Sequence, residues 1–207
     1  MKNPLIVQDK RLIEEILDKT QYGVLALNGE RPYALPVNFV YFESAIYFHG
    51  SHKGKKMTIL KKNPLVSFSV IADHTILPSY IMSDSDLACP TTAFFKSIII
   101  DGKVESIINM KEKRVVFSAM MKKLQKEGKY LDFDSNEYDR ALKKVALLKI
   151  NIESISAKFK FGQNYSESKR ALIISNLEKR NDPNDKLIVA DIKALYKLSK
   201  NKKYKKI

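Results

Sequence analysis

Between His49 and Lys56 the chain reads HGSHKGKK, which packs two imidazoles, a hydroxyl, three ammonium groups and two glycines into eight residues. Groups of these types, beside glycines that leave backbone N–H groups uncovered, are equipped to hold an anion. The segment follows an apolar stretch, "AIYF", and precedes a run whose apolar spacing resumes at Met57, Ile59 and Leu60. A strand that empties into Gly50-Ser51 and then opens a helix offers unpaired N–H groups and the positive end of the helix dipole, a ready receptor for phosphate. Lys53, Lys55 and Lys56 oppose that dipole, at about 0.3–1 kcal/mol for each unfavourable charge, unless an anion neutralises them. Ser51 and the three lysines are therefore candidate phosphate ligands. The plain alternative is a solvated, basic helix start.

The rest of the chain must position this segment. Asp9 is placed to cap a helix over 9–19 with Leu12, Ile13, Ile16 and Leu17 on one face. β-Branched and aromatic residues predict strands at 22–28, 33–42 and 45–49, with Asn28-Gly29 turning the first hairpin. In the second of these, Pro36 has no N–H for a ladder. That predicts an edge or a locally unpaired position, with the backbone of Leu35, Pro36, Val37 and Asn38 open to something other than a strand. A helix is expected at 52–62, a strand at 65–72 and an irregular excursion over 73–91. Strand character returns with "TAFFKSIIIDGKVESI" and a turn at Asp101-Gly102. Asn109 heads a helix expected to bury Val115, Val116, Phe117, Met120, Met121 and Leu124 and to stop at Gly128. A short helix near 137–143 and a strand over 145–158 follow. Ser166 caps a helix with Ala171, Ile174 and Leu177 inward, and Asp182-Pro183 opens another with Leu187, Ala190, Ala194, Leu195 and Leu198 inward. Six strands without βαβ alternation predict a mainly β (α+β) antiparallel barrel with flanking helices and a C-terminal helical hairpin. The expected division is a barrel domain over 1–158 and a helical extension with a basic tail over 159–207.

Composition narrows the functional classes. A chain of 207 residues can bury one sizeable core with a helical appendage. It has no apolar run of about 18 residues. The opening "MKNPLIVQDKR" lacks the apolar core of a secretory signal, so a cytoplasmic protein without a membrane partner is expected. One cysteine, Cys89, excludes an intrachain disulfide and, with three histidines, leaves little for a zinc site. Cys89 itself is expected to be a small buried hydrophobe. The net charge of +14 invites nucleic acid. Five of the lysines, however, sit in the tail "KNKKYKKI", and others are interleaved with glutamates along helices, so nucleic acid is not the favoured partner.

The combination "YALPVNFVY…IYFHGSHKGKK…LKKNPLVSFSV…ACPTTAFFKSIIIDGKVE" resembles the FMN-binding split β-barrel family typified by pyridoxamine 5′-phosphate oxidase. Within it the chain is most similar to the nitroimidazole-resistance (NimA-like) branch, over roughly residues 8–155. The resemblance implies a six-stranded split barrel and a homodimer with FMN at the subunit interface. It sets the FMN phosphate against Gly50, Ser51, Lys53, Lys55 and Lys56, with His52 where arginine is usual. The flavin ring would lie along Leu35, Pro36, Val37 and Asn38, with His49 beside it as the candidate for a catalytic role. Cys89, Thr91, Thr92 and Ser97 match the segment that reaches the other subunit's flavin. Phe95 stands where the family commonly has tyrosine, so no proton donor is carried over to that position.

The activity so implied is reduction of a small planar, nitroaromatic-type substrate by hydride or electron transfer from reduced FMN. No G-x-G-x-x-G follows a strand, so a nicotinamide donor would bind only transiently. Residues 145–207 lack the arginine/histidine substrate motif of pyridoxamine-phosphate oxidase, which argues against that activity itself. The C-terminal "KFKFGQNYSESKRALIISNLEKRNDPND" resembles the end of the PaiB-like FMN-binding regulators. That supplies the alternative, a regulatory flavoprotein without turnover that contacts nucleic acid, with Lys160, Gln163 and Asn164 near the cofactor edge. A related barrel holding haem or a deazaflavin is a third reading.

Overall fold

The computed structural model describes residues 5–84 and 86–200. In chain order its strands are β1 (Ile6–Val7), β2 (Tyr22–Asn28), β3 (Pro32–Asn38), β4 (Val40–Phe42), β5 (Ala45–Gly50), β6 (Leu65–Leu77), β7 (Thr92–Ile107) and β8 (Ala146–Lys160). Its helices are α1 (Lys10–Lys19), α2 (Lys55–Lys62), α3 (Ser79–Met82), α4 (Met110–Leu124), α5 (Asp139–Lys144), α6 (Glu167–Arg180) and α7 (Asp185–Lys200). Two compact units divide the chain. One is Asp9–Val70 with Ile98–Ser156; the other takes the described residues of Met1–Gln8, Ile71–Ser97 and Ala157–Ile207. No described helix is long and apolar enough to cross a membrane.

The first unit holds the split barrel. Strand order is β3-β2-β6-β7-β8-β5-β4, with antiparallel ladders where register is defined. β3 and β4 are consecutive in sequence yet stand at opposite ends of that order. The sheet must therefore curl until its ends meet. β3 and β5 do come within 8 Å, but no ladder joins them, and that is the split. β2 alternates as a half-buried strand should, with Leu25 and Leu27 inward and Tyr22, Val24, Ala26 and Asn28 outward. β5 buries Ala45, Ile46, Tyr47 and Phe48 in succession, since α4 covers its outer face with Val116 and Met120. Inside, Phe39 and Phe68 meet edge to face at 5.0 Å. Full burial of each ring contributes about 1.5–3 kcal/mol.

Among the described residues there are eight strands where the sequence predicts six. Phe39 breaks the expected strand over 33–42: its side chain is fully buried and its N–H donates to the Gln21 carbonyl at 3.4 Å. β1 is the other addition. The helix expected from residue 52 begins at Lys55, because Gly54 has φ +102°, a left-handed value that ends any earlier helical turn. The expected excursion over 73–91 is in part strand, since β6 runs to Leu77, and in part the short α3. Asp101-Gly102 is no turn, for β7 passes straight through it. Asp9 and Asn109 cap α1 and α4 as expected, with Asn109 accepting from the N–H groups of Lys111 and Glu112. Val115, expected inside, is 51 % exposed.

In the second unit β1 pairs with the far end of β8, and α6 and α7 form the expected hairpin. Ser166 caps α6 by accepting from Lys169 N–H, but Arg170, Ile173 and Leu177 face inward rather than Ala171. α7 opens at Asp185, not at Asp182-Pro183. The buried Asp185 carboxylate accepts from Asp182 N–H and pairs with Arg180, and this interaction holds its pKa below the usual range. The inward residues of α7 are Ile188, Val189, Ile192 and Leu195.

Candidate functional site

The segment between β5 and α2 is built to leave backbone donors uncommitted. Ser51 Oγ accepts from the Lys53 N–H at 3.1 Å, which folds 51–53 into a tight turn and leaves the Ser51 hydroxyl proton free to donate. Gly54 offers no capping side chain, and the first ladder bond of α2 runs from Thr58 N–H to the Gly54 carbonyl at 3.1 Å. The N–H groups of Lys55, Lys56 and Met57 therefore stand ahead of the ladder. No acidic residue occupies this first turn. The dipole end, the free donors and the lysines all favour an anion here, with nothing local to neutralise them.

Two of the lysines are held by aromatic faces. Lys55 Nζ lies 4.2 Å from the centroid of the Tyr33 ring, which ties the start of α2 to β3. Lys56 is half-buried, with Nζ 5.3 Å from the Phe48 centroid, and this burial lowers its pKa. The Lys56 ammonium also lies 2.6 Å from where a Cβ would stand on Gly50, so a side chain there would make the lysine tip swing aside. Lys53, His52 and Ser51 are exposed.

His49 keeps one edge in solvent and leans the other on Phe117, ring centroids 5.5 Å apart. Phe117 stacks on Phe133, and Phe133 on Tyr138 at 4.4 Å. Arg114 fixes this column from behind by donating to the Phe133 and Ser135 carbonyls and pairing with Asp139. Desolvation by these neighbours lowers the His49 pKa, and the Lys56 charge adds to the effect. The neutral imidazole is favoured in the folded state. A group with a depressed folded pKa withdraws stability as pH falls from its unfolded value, about 6.5, through the folded one. Lys56→Met is expected to move the His49 titration to higher pH, read from its ring proton shifts by NMR. An unmoved titration would separate the two residues.

β3 lies at an end of the strand order, as Pro36 predicts. Pro36 pairs in register with Val24, a position it tolerates only with its nitrogen turned away from β2. By the alternation of an antiparallel ladder, the N–H groups of Ala34 and Asn38 share that outward direction. Leu35 and Val37 are half-buried, Pro36 and Asn38 exposed. The Asn38 side chain donates to the Gln21 carbonyl at 3.2 Å, which fixes the end of the strand.

Of the other residues singled out by sequence, Thr91 lies just before β7, and Thr92 and Ser97 lie on it, in the second unit. Thr92 Oγ1 accepts from Lys160 Nζ at 2.5 Å, and Ser97 Oγ donates to the Lys158 carbonyl at 3.4 Å. Cys89 is exposed rather than buried, because it falls in the turn before β7. Gln163 is buried and spends its amide on Phe161 N–H and the Phe159 carbonyl, so it staples the end of β8. Tyr33, Phe48 and Phe117, which orient Lys55, Lys56 and His49, go unnoticed in sequence because aromatic residues in strands and helices read as core. Lys202, Lys203, Lys205 and Lys206 of the tail lie outside the described residues. Among the described residues no three His, Cys, Asp or Glu side chains gather to hold a metal.

A family model described as pyridoxamine 5′-phosphate oxidase matches residues 9–159. The chain belongs to that family. Solved structures share the fold at low identity. A Bacteroides thetaiotaomicron protein provisionally assigned to 5-nitroimidazole antibiotic resistance is 24% identical, with 74% of this chain and 85% of that one covered and a TM-score of 0.60. The flavocytochrome Anf3 of Azotobacter vinelandii is 17% identical over 75% of this chain and 69% of its own, TM-score 0.61. An FAD- and haem-binding protein of Mycobacterium smegmatis is 18% identical over 75% and 73%, TM-score 0.63. No curated protein matches the sequence.

Proposed function

We propose that this family member binds FMN and acts as a flavin-dependent oxidoreductase on a small planar, nitroaromatic-type substrate. The observation that carries the reading is the β5–α2 segment. It offers a free hydroxyl, unladdered N–H groups and three lysines within six residues, and no acid in the first turn of α2. Those groups fit a phosphate monoester: Ser51 and the N–H groups of Lys55 and Lys56 donate to its oxygens, while Lys53 and Lys55 neutralise it. The outward backbone of β3, from Leu35 to Asn38, borders the polar rim of the ring. His49, neutral near pH 7, presents one ring nitrogen as donor and the other as acceptor to whatever lies beside it. Bound FMN would supply the two-electron chemistry, and the chain's own part is binding, orientation and electrostatics.

The reading includes a homodimer. On the outer face of β2, Tyr22 and Val24 are 63 and 41 % exposed, apolar side chains of the kind that a second copy covers. Thr91, Thr92 and Ser97 would then serve the other protomer's cofactor. A cytoplasmic setting belongs to the same proposal. The test is the visible spectrum of the purified protein before and after FMN is added, followed by nicotinamide-dependent reduction of a nitro compound. Flavin bands are expected. A colourless, monomeric protein that ignores micromolar flavin overturns the reading. A Soret band replaces flavin with haem, and duplex-DNA binding without turnover favours a regulator.

A further inference from the structure

Of the three lysines between β5 and the first turn of α2, Lys53 and Lys55 are exposed and only Lys56 withdraws from solvent. Consecutive residues of a helix point about 100° apart. Lys55 accordingly reaches Tyr33 on β3, while Lys56 turns back to β5, where its Nζ stands beside Gly50 and 5.3 Å from the Phe48 ring centroid. Among the described residues this half-buried ammonium meets no carboxylate and no hydrogen-bond acceptor. The neighbouring chain holds none in reserve, for no aspartate or glutamate occurs from Ser44 to Ala72. A charge drawn out of water without a partner is costly, and this one also disfavours a proton on His49. The two ring nitrogens of His49 are likewise without a hydrogen-bond partner among the described residues. The phosphate contacts proposed above leave the Lys56 side chain unused.

We infer that Lys56 and His49 together receive the carboxylate of an acidic substrate, which narrows the proposed nitroaromatic class to nitroaromatic acids. A carboxylate has two oxygens for two donors, the ammonium and one ring N–H, and it brings the negative charge that this stretch of chain lacks. One point charge and one neutral imidazole suit a single negative charge. A phosphate dianion is better served by Ser51, Lys53, Lys55 and the N–H groups of α2. The inference rests on the flavin reading, because it takes the end of β5 at His49 as the place beside the ring.

The experiment measures binding of para-nitrobenzoate and of its neutral amide, para-nitrobenzamide, to the FMN-loaded full chain by the change in flavin absorbance. Wild type is compared with Lys56→Met, in which the apolar body of the side chain stays and the charge goes, with thermal melting as the check on folding. Lys61→Met removes an exposed charge from the last turn of the same helix and serves as the control. The wild type and the control should bind the acid about tenfold or more tightly than the amide, and Lys56→Met should bind the two alike. The acid should also raise the pH at which His49 titrates in the wild type, read from its ring proton shifts by NMR, since a carboxylate offsets the Lys56 charge and favours the imidazolium. The inference is overturned if the wild type binds acid and amide alike, if Lys61→Met erases the preference as well, or if the acid leaves the His49 titration unmoved. It is equally overturned if Lys56→Met weakens FMN relative to riboflavin, for the ammonium then belongs to the phosphate. A wild type that binds no flavin removes the reading beneath the inference, a distinct result seen before any acid is added.

Discussion

Alanine at both Lys53 and Lys55 is expected to lower the affinity for FMN by about 100-fold, since two charge-assisted contacts at about 1.5 kcal/mol each are lost together. The fold should not share in the loss. Both side chains are exposed, and substitutions at such positions shift stability by about 0.5 kcal/mol or less. Lys55 gives up one further contact, its place over the Tyr33 ring. The decisive comparison is riboflavin, which has the ring without the phosphate. In a fluorescence titration the double variant should bind riboflavin as the wild type does and lose its preference for FMN. Undiminished FMN binding would mean that the phosphate lies elsewhere. The wild-type preference should also shrink with added salt, because exposed lysines act through a screened field.

The strand end and helix start that flank the proposed phosphate segment were legible in sequence because they are local. An anion receptor made of Gly50, Ser51 and the lysines that follow needs only a strand end and a helix start, and both are written into the spacing of neighbouring residues. Pro36 marks its edge by chemistry alone, since a residue without an N–H can occupy few places in a ladder. The barrel was legible for a related reason: β2 and β5 carry enough apolar residues to identify themselves.

The parts that escaped depend on what approaches from far along the chain. Asn28-Gly29 looks like a two-residue hairpin turn, yet register pairs Asn28 with Pro32 and leaves a three-residue loop, Gly29-Glu30-Arg31. Gly29 is needed because Ile59 of α2 approaches it, and no positive φ is involved. That longer loop sets Arg31 in the lining of a cleft along α2, beside Lys55 and Ile59. Gln163 drew attention only through the resemblance to the PaiB-like C-terminus; in the structure it is buried and its amide is satisfied by the backbone of Phe159 and Phe161.

Gly102 offers the sharpest case and the second large effect. Beside Asp101 it has the composition of a turn, yet it sits inside β7, where a Cβ would stand 2.3 Å from the Asn151 carbonyl oxygen and 2.9 Å from Ile150 Cγ2. The obstructing oxygen belongs to the backbone of β8, so it cannot swing aside as a lysine tip can. β8 is also held in place from its other side, where Asn151 pairs with Ala45 and Ile150 with Ile46. Asp101 draws the strands closer still, accepting from Ser67 and, at 3.2 Å, from Ser154. Gly102→Ala must therefore push β7 from β8, and an overpacked core costs about 1–3 kcal/mol. We expect about 3 kcal/mol, because the displaced atoms are main chain. Gly128 provides the contrast. It has φ +69° and open space around its Cβ position, so Gly128→Ala meets conformational strain without a clash, at about 1 kcal/mol. Urea unfolding of both variants should show the Gly102 midpoint displaced much further than the Gly128 midpoint, with refolding from urea rescuing material that fails to accumulate soluble. Equal midpoints would mean that β7 and β8 are not pressed together at this point, and that Gly102 is glycine for the turn its sequence suggests.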